Sequence, residues 1–297
     1  SISPLGLPGG VRRAVVAALD HSDRYPDPLC RDLRSRLAQV NGVPEQSILC
    51  GNGAADLIYR LALALRPREA LLTAPTFSEY AAALAEVGCR IHKWRLPPEN
   101  GFRLTEEILD AITPELDLLV LCEPNNPTGR TTDRALLERI LEKCGACGVL
   151  LAVDESFSDF LDDPAGHTLQ GALGTRRLFL LRAFTKFYAM AGIRLGYCLC
   201  GDAALLEAMR RSGQPWPVSA PAQAAGLAAL EETRYAAALR HLIREQRPLL
   251  ARALEACGCR VIPGEANYLL FFHEDRLLAQ KLRRRGVLIR DCSDYDG

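Results

Sequence analysis

Leu181-Arg182-Ala183-Phe184-Thr185-Lys186-Phe187-Tyr188, with Gly192-Ile193-Arg194-Leu195-Gly196 close behind it, is the stretch from which the rest of the chain is read. The apolar residues 178–182 predict a buried strand, and a lysine flanked by aromatic residues follows it directly. An apolar setting lowers a lysine pKa and suits the amine to attack a carbonyl and form a Schiff base. Eight residues later, an arginine bracketed by glycines can approach a phosphate closely and grip it through two N–H groups. Taken singly, either residue reads more simply as a surface lysine or a surface arginine. Their meaning depends on what precedes them.

Strand and helix patterns alternate on the N-terminal side. The spacing predicts helices over residues 29–40, 54–65, 77–87 and 134–143. Strands are predicted over residues 47–50, 70–73, 89–94, 116–122 and 149–154, with a last one at 197–200. The continuous apolar runs 116–122 and 149–154 fit strands buried on both faces of a parallel sheet. The implied fold class is α/β, with a mostly parallel central sheet and helices on both faces. In such sheets ligands gather beyond the carboxyl ends of the strands, which is where the informative loops fall.

Pro124-Asn125-Asn126-Pro127-Thr128-Gly129 follows one such strand. It reads either as a tight connection or as a loop offering the Asn126 amide to a ligand. Asp154-Glu155 ends the next strand. Asp154 is expected to be partly buried, and a buried carboxylate needs a hydrogen bond or a cation. A helix cap is one reading, and a protonated pyridine as partner is the other. Gly51-Asn52-Gly53-Ala54-Ala55-Asp56 opens a helix whose free N–H groups and dipole favour a phosphate. A nicotinamide-binding fingerprint would need a third glycine at position 56, where Asp56 stands, and no Walker-type Gly-Lys-Ser/Thr occurs.

The bulk numbers agree with a soluble enzyme. The 297 residues carry 36 basic and 36 acidic side chains, so neither nucleic acid nor a membrane surface is the expected partner. No run of about 18 uncharged apolar residues is present, and residues 1–10 lack a signal-peptide pattern. Eleven cysteines, several in apolar stretches, fit the reduced thiols of a cytoplasmic protein. Cys144 and Cys147 form a C-x-x-C with no second ligand pair for zinc. No metal is expected, and a helix end is favoured over a redox pair.

Asn-Pro-Thr-Gly, Asp-Glu, Thr-Lys and Gly-x-Arg-x-Gly, in this order and at one end of one sheet, form a specific set. The chain resembles the fold-type I enzymes of pyridoxal 5′-phosphate (PLP), which have the aspartate aminotransferase fold. Its branch is that of histidinol-phosphate aminotransferase and the threonine-phosphate decarboxylase of cobalamin biosynthesis. The resemblance implies that Lys186 carries PLP as a Schiff base and moves protons, and that Asp154 pairs with the ring nitrogen. It implies that Asn126 meets the ring hydroxyl, and that Arg194, Thr185 and the N–H groups of Ala54 and Ala55 hold the phosphate. Phe77 stacks on the ring, with Tyr80 as the other candidate. Tyr25 reaches the phosphate of a partner subunit in a homodimer with shared sites. Gly6 falls on the substrate side, and Asn267 either lines that side or is a turn residue ahead of a strand.

The resemblance also divides the chain into a large PLP-binding domain, residues 26–209, and a smaller α+β domain from residues 1–25 and 210–297. In the latter, a helix is predicted over 231–257, strands at 260–262, 268–272 and 287–290, and a basic helix at 276–285. Three departures from the family pattern stand out. Phe157 replaces a tyrosine that would bond the ring hydroxyl, Ala183 replaces a phosphate-binding serine, and Gly297 falls before the carboxylate-binding arginine. The smaller domain therefore reads as truncated at its C-terminal side. The flanking segments, Pro4 to Pro8 and Gln214-Pro215-Trp216-Pro217-Val218, favour the decarboxylase of a phosphorylated amino acid or amine. A histidinol-phosphate or aromatic aminotransferase is the alternative. A non-catalytic ligand-binding relative would need a broken lysine or aspartate site, which this sequence does not have.

Overall fold

The computed structural model describes residues 1–174 and 177–295. Seven strands form the main sheet: β1 (Ile48–Gly51), β2 (Glu69–Ala74), β3 (Arg90–Arg95), β4 (Leu118–Cys122), β5 (Leu150–Asp154), β6 (Leu178–Ala183) and β7 (Gly196–Cys200). Their order is β1-β7-β6-β5-β4-β2-β3. The four pairs from β6 across to β3 are parallel, and β7 runs antiparallel to both neighbours. β4 and β5 are buried along their whole length, as their unbroken apolar runs require. The mostly parallel α/β sheet expected from the sequence is therefore present.

The covering helices form for local reasons. Helix Ala54–Leu65 buries Leu57, Ile58 and Leu61 on one face and stops where Arg66 turns left-handed (φ 46) ahead of Pro67. Helix Arg134–Cys147 starts on an Asp133 carboxylate that accepts the Ala135 N–H and ends at Gly148 (φ +76). Cys144 and Cys147 lie in its last turn as free thiols.

The register fixes which loops meet. Gly51 pairs with Gly196, and Gly196 with Ala183. Cys122 pairs with Asp154, and Asp154 with Leu181. Because β7 is reversed twice over, β1 is parallel to β6. The carboxyl ends of β1, β4, β5 and β6 and the entry to β7 thus share one edge. The segments quoted around Gly53, Asn126, Asp154 and Lys186 all leave the sheet there.

The long helix Thr233–Ala256 and a two-stranded antiparallel sheet, β8 (Arg260–Ile262) with β9 (Leu270–Phe272), make up the later part of the chain. The N-terminal helix Gly9–Leu19 packs on helix Ala220–Ala229. Residues 287–290 are not a strand, contrary to the sequence pattern. They are largely solvent-exposed, and no described strand lies alongside to accept their backbone hydrogen bonds. Among the described residues no helix is long and apolar enough to cross a membrane.

Candidate active site

Asp154 is the last residue of β5, where burial continues past the end of the strand; the carboxylate is 5% exposed. Tyr80 Oη donates to its Oδ2 at 2.6 Å and the Ser156 N–H donates to Oδ1 at 2.8 Å. Burial pushes the carboxyl up from its ordinary range, and the Ser156 and Tyr80 hydrogen bonds oppose that rise. An adjacent cation would favour the charged form.

Tyr80 had been one of two candidates for stacking on a ring above the sheet. The structure does not leave it there. It is buried on helix Glu79–Ala85, with its hydroxyl on Asp154 and its ring edge-on to Phe77 at 5.6 Å. Phe77, in the loop ahead of that helix, is half-buried and packs against the same core cluster as Tyr80.

Lys186 lies in the single turn Phe184–Phe187 after β6, with its neighbours Thr185 and Phe187 buried and its own side chain half-buried. Its amine stands 5.9 Å from the centre of the Phe157 ring. Burial lowers the lysine pKa, the charge of Asp154 raises it, and Arg194 lowers it further. The Ser3 N–H donates to the Lys186 carbonyl at 2.9 Å, and Ser3 Oγ meets Tyr235 Oη at 2.5 Å. Tyr235 also donates to the Gly6 carbonyl at 2.9 Å. The N-terminal segment carrying Gly6 is thereby tied over the lysine turn, an attachment the sequence did not announce.

Arg194 has a left-handed backbone (φ 64), uncommon for any residue but glycine and concentrated at functional sites. Gly196 and Gly53 are needed for close approach there, whereas Gly192 faces open space. A Cβ on Gly196 would lie 2.6 Å from the Ala54 nitrogen, and one on Gly53 would lie 2.6 Å from an Arg194 Nη2. The guanidinium therefore lies against Gly53, at the start of helix Ala54–Leu65, where it and the free N–H groups of the half-buried Ala54 and Ala55 could together receive an anion.

Asn125 and Asn126 behave differently. Asn125 is buried, and its amide is consumed by the Pro75 carbonyl and Thr128 Oγ1, while Thr76 donates to its oxygen. The half-buried Asn126 side chain makes no hydrogen bond to described residues, which leaves its amide for a ligand. Glu155 is spent elsewhere, in a buried ion pair with Arg182 at 2.7 Å. Tyr268 donates to the Asn125 carbonyl and packs edge-on to Phe157, and Oδ1 of neighbouring Asn267 is buried without a partner. Tyr25 stands apart, 80% exposed and stacked on Trp216 at 4.6 Å.

Glu123 holds this loop from below by accepting from the backbone and hydroxyl of Thr132. Burial pushes its pKa up to about 7, against 4.5 unperturbed. The folded state therefore keeps a proton that the unfolded chain releases above pH 4.5. Stability is expected to fall as pH rises from about 4.5 to about 7, by at most about 1.4 kcal/mol per pH unit. In urea titrations Glu123→Gln should lose that slope; a wild-type-minus-variant difference that is flat over this range would refute the assignment.

A lysine, a buried carboxylate and donors for an anion on one sheet edge match what PLP requires of a protein: an amine for its aldehyde, an anion for its ring nitrogen and a cradle for its phosphate. The sequence matches the family described as aminotransferase class I and II over residues 11–296. The chain belongs to the class I and II aminotransferases. It is therefore a PLP-dependent enzyme of this family, as the sequence resemblance implied. Among curated relatives, it is 41% identical to the threonine-phosphate decarboxylase of Salmonella typhimurium, matching 100% of this chain and 82% of that one. It is 34% identical to a histidinol-phosphate aminotransferase of Desulfitobacterium hafniense, covering 97% and 81%. Among solved structures, the histidinol-phosphate aminotransferase of Clostridium acetobutylicum superposes with a TM-score of 0.92 at 25% identity, over 100% of this chain and 89% of that one. The aspartate aminotransferase of Thermus thermophilus with maleate gives 0.85 at 26%, over 97% and 81%.

Proposed function

We propose that this aminotransferase-family enzyme decarboxylates a phosphorylated amino acid, L-threonine O-3-phosphate. The observation that carries the choice is the 41% identity to a threonine-phosphate decarboxylase across the whole chain, against 34% to a histidinol-phosphate aminotransferase. PLP supplies an electron sink into which charge from the substrate Cα can drain. Asp154 keeps a proton on the ring nitrogen, and Tyr80 and the Ser156 N–H hold that carboxylate in place. Arg194, Thr185, Ala54 and Ala55 would hold the cofactor phosphate, Asn126 would meet the ring hydroxyl, and Phe77 would cover the ring. Phe157 has no hydroxyl to add to the Asn126 contact and instead lines the lysine side of the site.

Decarboxylation breaks the bond from Cα to the carboxylate, releases carbon dioxide and requires a proton back at Cα. Lys186, its pKa lowered by burial, holds and delivers that proton. Gly6 and Asn267 border the substrate, the latter through its unpartnered Oδ1. A cytoplasmic homodimer completes the reading: the exposed Tyr25, steadied against Trp216, reaches the partner's cofactor phosphate. Carbon dioxide should be released from threonine phosphate with no keto acid present. Glutamate formation from 2-oxoglutarate and histidinol phosphate, without such release, would replace this reading by amino transfer.

A further inference from the structure

We propose a second anion site, in a cavity of about 360 Å³ lined by four arginines, which takes a small molecule bearing a phosphate or pyrophosphate group. The cavity lies beside the edge strand β1, with Leu49 and Cys50 on its wall, and shares no lining residue with the site around Lys186 and Asp154. Arg34, Arg60, Arg210 and Arg211 line it, and none of its lining residues is acidic. Its volume falls within the range of small-molecule sites.

The positive charge is only partly compensated. Arg60 is 2% exposed and meets Asp56 through Nε at 2.9 Å, but its Nη2 is buried without a partner. The other oxygen of Asp56 accepts the Asn52 N–H at 2.9 Å rather than a second bond from Arg60. Arg34 donates Nη2 to the Glu45 carbonyl, and its buried Nε is likewise unpartnered. Arg210 pairs with Glu207 at the surface, and Arg211 makes no ion pair among the described residues. Leaving a buried cationic donor unpaired is costly, so such a cluster fits a site completed by an anion. Guanidinium forks match the oxygens of a phosphate.

The walls are shaped for this arrangement. A Cβ on Gly213 would fall 1.9 Å from the Arg60 guanidinium carbon, so only glycine admits that arginine. Cys30 and Trp216, on the same lining, both have left-handed backbones (φ 49 and 52). Non-glycine residues held so cluster where a ligand is clamped. Trp216 adds an aromatic wall for the organic part of the ligand.

This inference does not rest on the reaction assigned above. The test is calorimetric titration of inorganic pyrophosphate into PLP-saturated enzyme, whose cofactor site is already filled. Wild type should bind, and added salt should weaken the binding. The surface double variant Arg210→Ala/Arg211→Ala should bind about tenfold more weakly or worse, with its PLP absorption unchanged. Arg60→Met should weaken it further. Absence of binding to wild type overturns the site, as does undiminished binding to the surface double variant, which would put the anion in the substrate pocket. Should Arg60→Met fail to fold, the double variant still decides.

Discussion

Lys186→Ala is expected to remove the visible absorption of lysine-bound PLP and to lower turnover by at least about 10⁴-fold, the upper end of what one positioned acid–base group supplies. Two functions are lost together, the covalent hold on the cofactor and the return of a proton to Cα. The fold should survive. Lys186 sits in a one-turn helix at the sheet edge, and the Ser3 bond to that turn uses the backbone carbonyl, which alanine keeps. Circular dichroism and thermal melting of the cofactor-free variant should match wild type. Retention of the absorption band, or activity within tenfold of wild type, would contradict the role given to this lysine.

Asp154→Asn should separate activity from stability. The amide keeps the shape of the carboxylate but cannot hold a proton on the ring nitrogen, so turnover is expected to fall by about 10²–10⁴-fold. The cofactor-free protein should be no less stable than wild type near neutral pH. Burial has already raised the carboxyl pKa, so that stability drains as pH rises through the folded-state value, and an amide escapes this penalty. Loss of function without loss of stability is the mark of a group kept for chemistry. The cheapest readout is paired melting and turnover on the same preparation. A variant that melts far lower than wild type, yet turns over normally once folded, would make Asp154 a structural residue.

Much of this was legible in the residues. Helix Ala54–Leu65 and β8 were predicted to the residue, since Gly53 and Arg66-Pro67 bound the first and Gly258 precedes the second. The loops bearing Lys186, Asp154 and Arg194 were legible because strand ends in a parallel sheet leave on one edge. Roles that depend on side-chain direction were not. Sequence allowed Tyr80 to stack on the cofactor, and only the fold, which buries its ring, turns the hydroxyl onto Asp154. The strand expected at 287–290 failed because an apolar run specifies a strand only where another strand can pair with it. The arginine cavity left no motif, for its four cations come from three separate helices and converge only in the fold.

The central claim, that the amine of Lys186 bonds the cofactor, has one direct chemical test. The PLP-loaded wild-type enzyme is reduced with borohydride, digested and mapped by mass spectrometry. The predicted result is one phosphopyridoxyl group per chain, on Lys186 within the tryptic peptide 183–194, because trypsin does not cut after the modified lysine. A stable adduct on a different lysine, or none at all in an enzyme that turns over, would contradict the account.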